Sequence, residues 1–329
     1  MKKAIVKKTT VAVLMFFLAG LTSSPALLAQ AYPIKPLRLL VPLPAGSLTD
    51  RLARILSQPI SQAWGQPIVV DNRGGANGNL GMDVCARSGS DGYTVCMPDG
   101  NIMTLNPFAY AKLSYDPLEF VPIIHIAELE QGIVVQASMP VKTVPELIEY
   151  ARARPAQVTW GSAGNGSTMH LYLEWLQAKT GVRFNHIPYK GPAELNKAMV
   201  AGEVQSSNLT TGTTAPFVRA GKLRLIAVVT AAQRSQFAGD TPTFASQGFD
   251  LDFRNWLLMV APKGVSNDIV RKWNLEMNKA IKDSSLIDKV TSVESINFTG
   301  GTPEDLAGIL EKKRRVGAEL AKLANLKYE

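Results

Sequence analysis

The stretch LRLLVPLPAGSLTDRLARILSQPI, residues 37–60, decides the fold because it contains one complete strand–turn–helix unit. Residues 37–43 form a short apolar run that is typical of a buried strand. Apolar side chains then recur at helical spacing, at Leu52, Ile55, Leu56 and Ile60. A strand followed by a short turn and a helix is the repeating unit of α/β proteins.

The same alternation continues to the end of the chain. Further strands are predicted at residues 68–70, 93–97, 123–127, 133–136, 158–161, 183–187, 204–209, 223–229 and 257–261. Helices are predicted at residues 82–87, 143–151, 169–179 and 193–201, and from residues 266 and 302 onward. Strands that alternate with helices indicate an α/β fold whose sheets are mainly parallel and have helices on both faces.

The first 31 residues have the order of a secretory signal peptide. Four lysines precede the apolar run VAVLMFFLAGL at residues 11–21, and small residues then lead to Ala31. The run is about half of the ~20 residues that span a bilayer, so we expect no retained anchor. We predict cleavage after Ala31, which leaves an exported, soluble chain in the periplasm that does not span the membrane.

The composition and charge of the chain limit the classes of partner that it can bind. The chain has 329 residues, 46% of them hydrophobic, which excludes a disordered protein. Its formal charge of +8 falls to +4 when the four lysines of residues 1–31 are removed. The densest basic run, residues 312–315, lies among acidic residues on a predicted helix, which favours a solvated amphipathic face. It has no interleaved aromatic residues, so nucleic acid is not an expected partner.

Two loops each follow a predicted strand and precede a predicted helix. Loop 1 is PLPAGSLTD, residues 42–50, and loop 2 is WGSAGNGSTMHL, residues 160–171. Both are poor in bulky side chains, and both would direct backbone N–H groups and a helix N-terminus into one place, which favours an anion. Either loop alone is better explained as an ordinary strand-to-helix turn. Two such loops in one chain make anion binding as good an interpretation.

Enzyme motifs are absent from both loops. Neither fits a nucleotide-binding glycine pattern, and no cofactor is expected. A serine hydrolase that uses Ser162 or Ser167 with His170 remains the main alternative, although the G-x-S-x-G elbow is missing. His170 could face a cleft or merely pack, and His125 lies in an apolar run and is interpreted as a core side chain. Asp50 fits a helix-start carboxylate better than a catalytic base.

The two cysteines, Cys85 and Cys96, have no nearby Cys or His at metal-ligand spacing, and no metal site is expected. In an oxidising compartment such a pair predicts a structural disulfide. A turn, residues 88–92, lies between them and could fold one segment back on the other. The glycine-rich segment DNRGGANGNLG, residues 71–81, is interpreted as a surface turn that opens a helix.

Eight segments carry a family resemblance. They are YPIKPLRLLVPLPAGSLTD, GQPIVVDNRGGANGN, DGYTVCMPDG, LSYDPLEFVPI, WGSAGNGSTMHL, IPYKG, AGKLRLIAV and GGTPEDLAGIL. In order and spacing, the chain from Tyr32 onward resembles the tripartite tricarboxylate transporter substrate-binding proteins, also called the Bordetella uptake gene (Bug) family. The resemblance extends almost from end to end.

The resemblance implies a periplasmic binding protein of the type II-like, Venus-flytrap class, with two α/β lobes. On that basis lobe 1 is residues 32–129 plus 254–329, lobe 2 is residues 130–253, and the crossings fall near residues 128–131 and 250–255. Such a protein is not an enzyme: it captures a small carboxylate by hinge closure and presents it to a membrane permease. A sensory role, with presentation to a receptor, is the other alternative. We expect a monomer.

The resemblance also implies the ligand-binding residues. Loop 1 would contribute Pro44, Ala45, Gly46, Ser47, Leu48, Thr49 and Asp50. Loop 2 would contribute Ser162, Ala163, Gly164, Asn165, Ser167, Thr168 and His170. Tyr189 and Lys190 are further candidates for lining the same cleft, and the alternative for Lys190 is a position that faces solvent.

Leu209 stands where an ungapped alignment places the aspartate that amino-acid-binding members can offer to a ligand ammonium. The missing carboxylate indicates a non-amino ligand, such as a dicarboxylate or an aromatic acid.

Overall fold

The computed structural model describes residues 32–230, 235, 238–251, 253–283, 285 and 295–328. The chain divides into two units, Met1–Lys35 and Pro36–Glu329, and the fold given below is that of the second. The predicted signal peptide and its cleavage site, residues 1–31, lie outside the described residues. Within the described ranges, no helix is both long and apolar enough to cross a membrane.

Strands and helices alternate along most of the described chain. The strands are β1 (Leu37–Val41), β2 (Ile68–Asn72), β3 (Thr94–Cys96), β4 (Val121–Leu129), β5 (Gln131–Gln136), β6 (Thr159–Ser162), β7 (Asn185–Pro188), β8 (Ser206–Thr210), β9 (Leu223–Val229), β10 (Trp256–Ala261) and β11 (Ile296–Phe298). The helices are α1 (Leu48–Trp64), α2 (Asn79–Ala86), α3 (Gly100–Thr104), α4 (Asn106–Ala109), α5 (Val144–Arg152), α6 (Thr168–Thr180), α7 (Pro192–Ala201), α8 (Thr211–Arg219), α9 (Asn267–Ala280) and α10 (Pro303–Leu323).

The strands form two sheets. The first has the order β11-β4-β10-β3-β1-β2, and the second has the order β7-β6-β8-β5-β9. The chain crosses between them at Glu130, which lies directly between β4 and β5. It returns between β9 and β10, where Asp252 lies outside the described residues. The proposed lobe boundaries agree with this division of strands but stay a prediction.

Both sheets are mixed, so the expectation of mainly parallel sheets is wrong in this detail. The pairs β1–β2, β1–β3, β6–β7 and β6–β8 are parallel, as strand–helix–strand units require. The pairs of β10 with β3 and β4 are antiparallel, as are those of β5 with β8 and β9. β4 leaves the first sheet and β10 re-enters it, so these two neighbouring strands must run in opposite directions.

Separate apolar clusters cover the two sheets. Buried residues of the first sheet and its helices include Leu40, Met82 and Trp256. On the second sheet, Trp160 and Tyr172 lie in the cluster on one face, and Val134 and Leu209 lie in the cluster on the other. The cluster that contains Trp160 also includes Leu105, Leu320 and Leu326, so apolar contacts join the second sheet to the segments that pack against it.

A disulfide joins Cys85 of α2 to Cys96 of β3, as predicted. Both cysteines are fully buried in the cluster of the first sheet. The segment of residues 71–81 opens α2, as predicted, with residues 73–77 exposed. Asn79 at the start of that helix is buried, and its Oδ1 accepts hydrogen bonds from Asn106 and Tyr115.

The basic run at residues 312–315 departs from the prediction of a solvated face. Lys313 is buried, with its Nζ 3.6 Å from Glu128 Oε1 and above the ring of Trp256. Arg314 donates hydrogen bonds to the carbonyl oxygens of Met103 and Pro117. The reason is that α10 packs along β4. One face of this helix, which includes Lys313, is therefore turned toward the sheet.

Candidate functional site

Loop 1 follows β1 and ends in the first turn of α1. Gly46 adopts a φ of +81°, a left-handed conformation that favours glycine, and this turns the chain into the helix. Ser47 is the N-cap, and its Oγ accepts a hydrogen bond from the Asp50 N–H over 3.2 Å. The backbone N–H groups of Leu48 and Thr49 have no acceptor among the described residues, as expected for a first helical turn.

Both carboxylate oxygens of Asp50 have partners within loop 1 and α1. Its Oδ2 accepts the Gly46 N–H at 2.8 Å, and its Oδ1 lies 3.0 Å from Arg54 Nε. Burial opposes ionisation, but the hydrogen bonds from Gly46 and Arg54 lower the pKa of Asp50 below its ordinary value. A fixed carboxylate at the start of α1 offsets part of the helix dipole, so this helix N-terminus attracts an anion less strongly than one without such a carboxylate.

Loop 2 follows β6 and ends in the first turn of α6. Its N-cap, Ser167, makes no capping bond: its Oγ donates instead to the Gly164 carbonyl over 2.7 Å. The backbone N–H groups of Thr168 and Met169 are without an acceptor among the described residues. The N-terminus of a 13-residue helix is therefore left open beside residues 163–167, and its partial positive charge favours an anion there.

Side chains from the first sheet's side of the molecule contact loop 2. The Thr168 hydroxyl donates to Asn255 Oδ1 at 2.6 Å and accepts from Asn101 Nδ2 at 3.1 Å. Near the C-terminus, Tyr328 donates from its hydroxyl to the Asn165 carbonyl over 3.0 Å. Gly166 has a φ of +76°, and a Cβ there would lie 1.8 Å from the Tyr328 hydroxyl, so both backbone and space require glycine. Loop 2 therefore lies where the two lobes meet.

Loop 1 is connected to the residues around Asn101 through the contacts of residues 77 and 78. Gly78 fits closely between the Pro42 carbonyl and Ile102, the residue after Asn101. The Asn106 amide, on α4, donates to the Asn77 carbonyl. Both loops thus border the segment formed by α3, α4 and residues 74–79, and both extend from the carboxyl ends of parallel strands, where α/β proteins bind ligands.

The remaining predicted site residues differ in position. Tyr189 is half-buried beside loop 2, and its N–H donates to the Ser162 carbonyl over 2.9 Å. The exposed Lys190 agrees with the solvent-facing alternative, and its backbone N–H donates to Glu194. Leu209 is 1% exposed and packs in an apolar cluster with Met169, so its side chain does not face open space.

Ser162 and His170 are not paired as the hydrolase alternative requires. The Ser162 Oγ lies 2.7 Å from the Nε2 of a different histidine, His186. Ser162 is fully buried, so no substrate reaches its hydroxyl in this structure. His170 stacks on His186, with ring centroids 4.4 Å apart, and accepts the Gly166 N–H at its Nδ1 over 3.0 Å. The described residues contain no group of three or more His, Cys, Asp or Glu that could hold a metal ion.

Sequence reasoning missed four residues of this site: Asn101, His186, Asn255 and Tyr328. Each is distant from both loops in the sequence and belongs to no motif. The contacts of Asn101, Asn255 and Tyr328 arise only when the lobes come together and the C-terminal segment packs back on the fold. The contact of His186 arises from the pairing of β6 with β7.

Comparison with known proteins decides the family. Residues 52–317 match the model of the tripartite tricarboxylate transporter family receptor. The chain belongs to this family. A UPF0065 protein from the gbd 5′ region of Cupriavidus necator is 37% identical over 264 residues, which are 80% of each chain.

Two solved structures share both fold and sequence. One is described as a periplasmic transporter and is 33% identical, with a TM-score of 0.76 over 90% of this chain and 99% of its own. The other, Rpa4515 of R. palustris with adipate, is 32% identical, with a TM-score of 0.77 over 90% of this chain and 100% of its own. The two-lobed α/β periplasmic binding protein fold is therefore confirmed, and the family is one of solute-binding receptors rather than enzymes.

Proposed function

We propose that this receptor captures a small organic carboxylate in the cleft between its lobes and delivers it to a tripartite tricarboxylate-type permease. The observation that carries the ligand class is the uncapped N-terminus of α6. There Ser167 bonds to Gly164 and leaves the first-turn N–H groups of Thr168 and Met169 open to an anion. The presence of adipate in the related Rpa4515 structure supports a carboxylate as that anion.

The ligand is proposed to lack an amino group. The side chain of Leu209 is apolar and packed in the core, so it offers nothing to an ammonium group. Glu130 lies near this region beside Thr211, but its Oε1 already accepts hydrogen bonds from Thr211 and Ser235. Burial also raises the pKa of Glu130, which makes it a poor partner for a cation. A dicarboxylate is the favoured class, in line with the adipate of the relative.

Capture by hinge closure is proposed between residues 32–129 plus 254–329 on one side and residues 130–253 on the other. The order of the strands in two separate sheets, with the chain passing from one to the other at Glu130, supports this division. Export through the predicted signal peptide would bring the receptor to the periplasm, where it would act as a monomer. Closure around the carboxylate would give the permease a form that it can distinguish from the empty one.

The substitution Ser167→Asp tests the α6 site without removing a packed side chain. Aspartate is a good N-cap and suits the positive end of a helix, so the thermal stability of the variant should equal or exceed that of the wild type. Its fixed negative charge would occupy the place of the ligand carboxylate. We expect calorimetric titration with adipate and succinate to show at least about a 100-fold loss of affinity, from repulsion and lost hydrogen bonds.

Ser266→Asp is the matched control. Ser266 is the N-cap of α9 and bonds to the Ile269 N–H, so the chemical change is the same on a helix far from loop 2. This variant should bind like the wild type. Carboxylate binding by Ser167→Asp that equals that of Ser266→Asp would exclude the α6 N-terminus as the ligand site.

A further inference from the structure

Two stacked imidazoles lie directly behind loop 2. His170 belongs to α6 and His186 to β7, and their rings are nearly parallel at 11°. Each ring is bonded to a different part of the loop. These contacts link α6 to β7, the edge strand of the second sheet, through side chains rather than through backbone hydrogen bonds of the sheet.

His170 holds Gly166 directly. The Gly166 N–H donates to His170 Nδ1 over 3.0 Å, so this nitrogen must be unprotonated. The ring proton therefore lies on Nε2, which faces Glu174 Oε1 at 3.5 Å. The hydrogen bond with His170, acting against burial, lowers the pKa of Glu174 and keeps it charged. Glu174 thereby fixes the tautomer that loop 2 requires.

His186 holds Gly164 through one intermediate. Its Nε2 lies 2.7 Å from the Ser162 Oγ, and the same Oγ accepts the Gly164 N–H over 3.2 Å. Because Ser162 is fully buried, no water competes for this link. The two histidines thus fix the two glycines of loop 2 that have positive φ angles.

Burial keeps His186 neutral. Burial lowers its pKa to about 4, the neighbouring His170 adds to this shift, and Glu174 opposes it. Arg183, just before β7, also acts on Glu174. A neutral ring at neutral pH leaves the contact with Ser162 intact.

We propose that His170 and His186 are positioning residues for carboxylate binding: they hold Gly166 and Gly164 so that loop 2 and the first turn of α6 present their N–H groups to the anion. This inference rests on the proposed function. Glycine has more backbone freedom than other residues, so a free loop would lose that entropy each time it bound a ligand. A loop that is already ordered avoids this cost.

Three variants of α6 test the role of His170. His170→Leu removes the acceptor, whereas His170→Asn keeps an oxygen close to the position of Nδ1. Thr180→Val is the control at the other end of the helix, where the hydroxyl bonds to the Leu176 carbonyl and to the Val182 N–H, both far from loop 2 along α6. We expect His170→Leu to weaken adipate or succinate binding by about tenfold or more, the equivalent of one lost hydrogen bond. His170→Asn should bind within about threefold of the wild type.

The outcomes separate the two proposals. A wild-type protein that binds no carboxylate contradicts the proposed function. Wild-type binding with equal affinity in His170→Leu, or equal losses in His170→Leu and His170→Asn, overturns only the positioning role. Should the leucine variant fail to fold, ¹⁵N chemical shifts of the wild-type imidazoles give the answer. Protonation of His170 on Nδ1 at neutral pH would overturn the proposal, and protonation on Nε2 would support it.

Discussion

At the scale of single residues, burial decides what a polar side chain does. His125 lies in an apolar run and is 4% exposed, as a core residue should be, with its ring edge-on to Trp256. Its Nε2 nevertheless has no hydrogen-bond partner in the described part of the chain and lies 3.9 Å from Glu128 Oε1. Burial, together with the cations Lys313 and Arg254, lowers the pKa of His125 to about 4, against the influence of Glu128.

This shift predicts a loss of stability in acid. The unfolded chain binds a proton at His125 below its ordinary pKa of 6.5, whereas the native chain does so only near pH 4. The free energy of unfolding should therefore fall as the pH drops from 6.5 to 4, by up to about 3 kcal/mol from this group. His125→Phe keeps a ring against Trp256 and should lose less stability over this range. Urea unfolding of both proteins at pH 7 and 4.5 measures the difference, and parallel losses would contradict the assignment.

At the scale of elements, most helix starts follow from local chemistry. The side chains of Thr143, Ser266 and Thr302 cap α5, α9 and α10 as hydroxyls before a helix should. Thr302 also forms a complete capping box with Asp305. Such signals lie within four residues, so sequence alone reveals them. The uncapped Ser167 has the same residue type, and only its bond to Gly164 distinguishes it.

The disulfide joins two elements and predicts a definite stabilisation. Cys85 and Cys96 are 11 residues apart, and closing so short a loop contributes about 2–3 kcal/mol by restricting the unfolded chain. Reduction should lower the free energy of unfolding of the wild type, measured by urea denaturation, by this amount. The Cys85→Ala, Cys96→Ala double variant should not respond to reductant and serves as the control. A reductant effect of equal size in both proteins would mean that the disulfide is not the cause.

At the scale of the whole molecule, two groups of polar contacts lie at the returning crossing segment. Glu128, at the end of β4, forms an ion pair with the buried Arg254 in the returning crossing segment and lies near Lys313 of α10. Asn101, Thr168 and Asn255 form the second group, which joins α3 and the start of α6 to that crossing. The first group lies at the proposed hinge, and the second lies beside the proposed ligand site.

Loss of the second group should favour the open form. Asn101→Ala removes the hydrogen bonds to Thr168 and Asn255, each worth about 1 kcal/mol. Small-angle X-ray scattering should give the unliganded variant a larger radius of gyration, and carboxylate affinity should fall by about three- to tenfold because closure costs more. Asn185→Ala, on the exposed edge strand β7, is the matched control and should change neither. An unchanged radius together with unchanged affinity in Asn101→Ala would show that this group does not bias closure.

Sequence by itself determined the alternation of strands and helices, the position of loops 1 and 2, and the disulfide partners. All of these depend on neighbouring residues: periodicity, capping and turn chemistry act over a few positions. The resemblance to a family extended this to two lobes and a carboxylate ligand, and the family match supports that extension.

Tertiary structure alone decided which polar groups meet across the fold. The mixed sheets follow from the return of the chain through β10 beside β4. Lys313 is buried because α10 packs on β4, and Leu209 faces a core because of its place in β8. The contacts of Asn101, His186 and Tyr328 with loop 2 join positions 24 to 163 residues apart. Such contacts depend on how the sheets and helices pack, and no local pattern in the sequence encodes them.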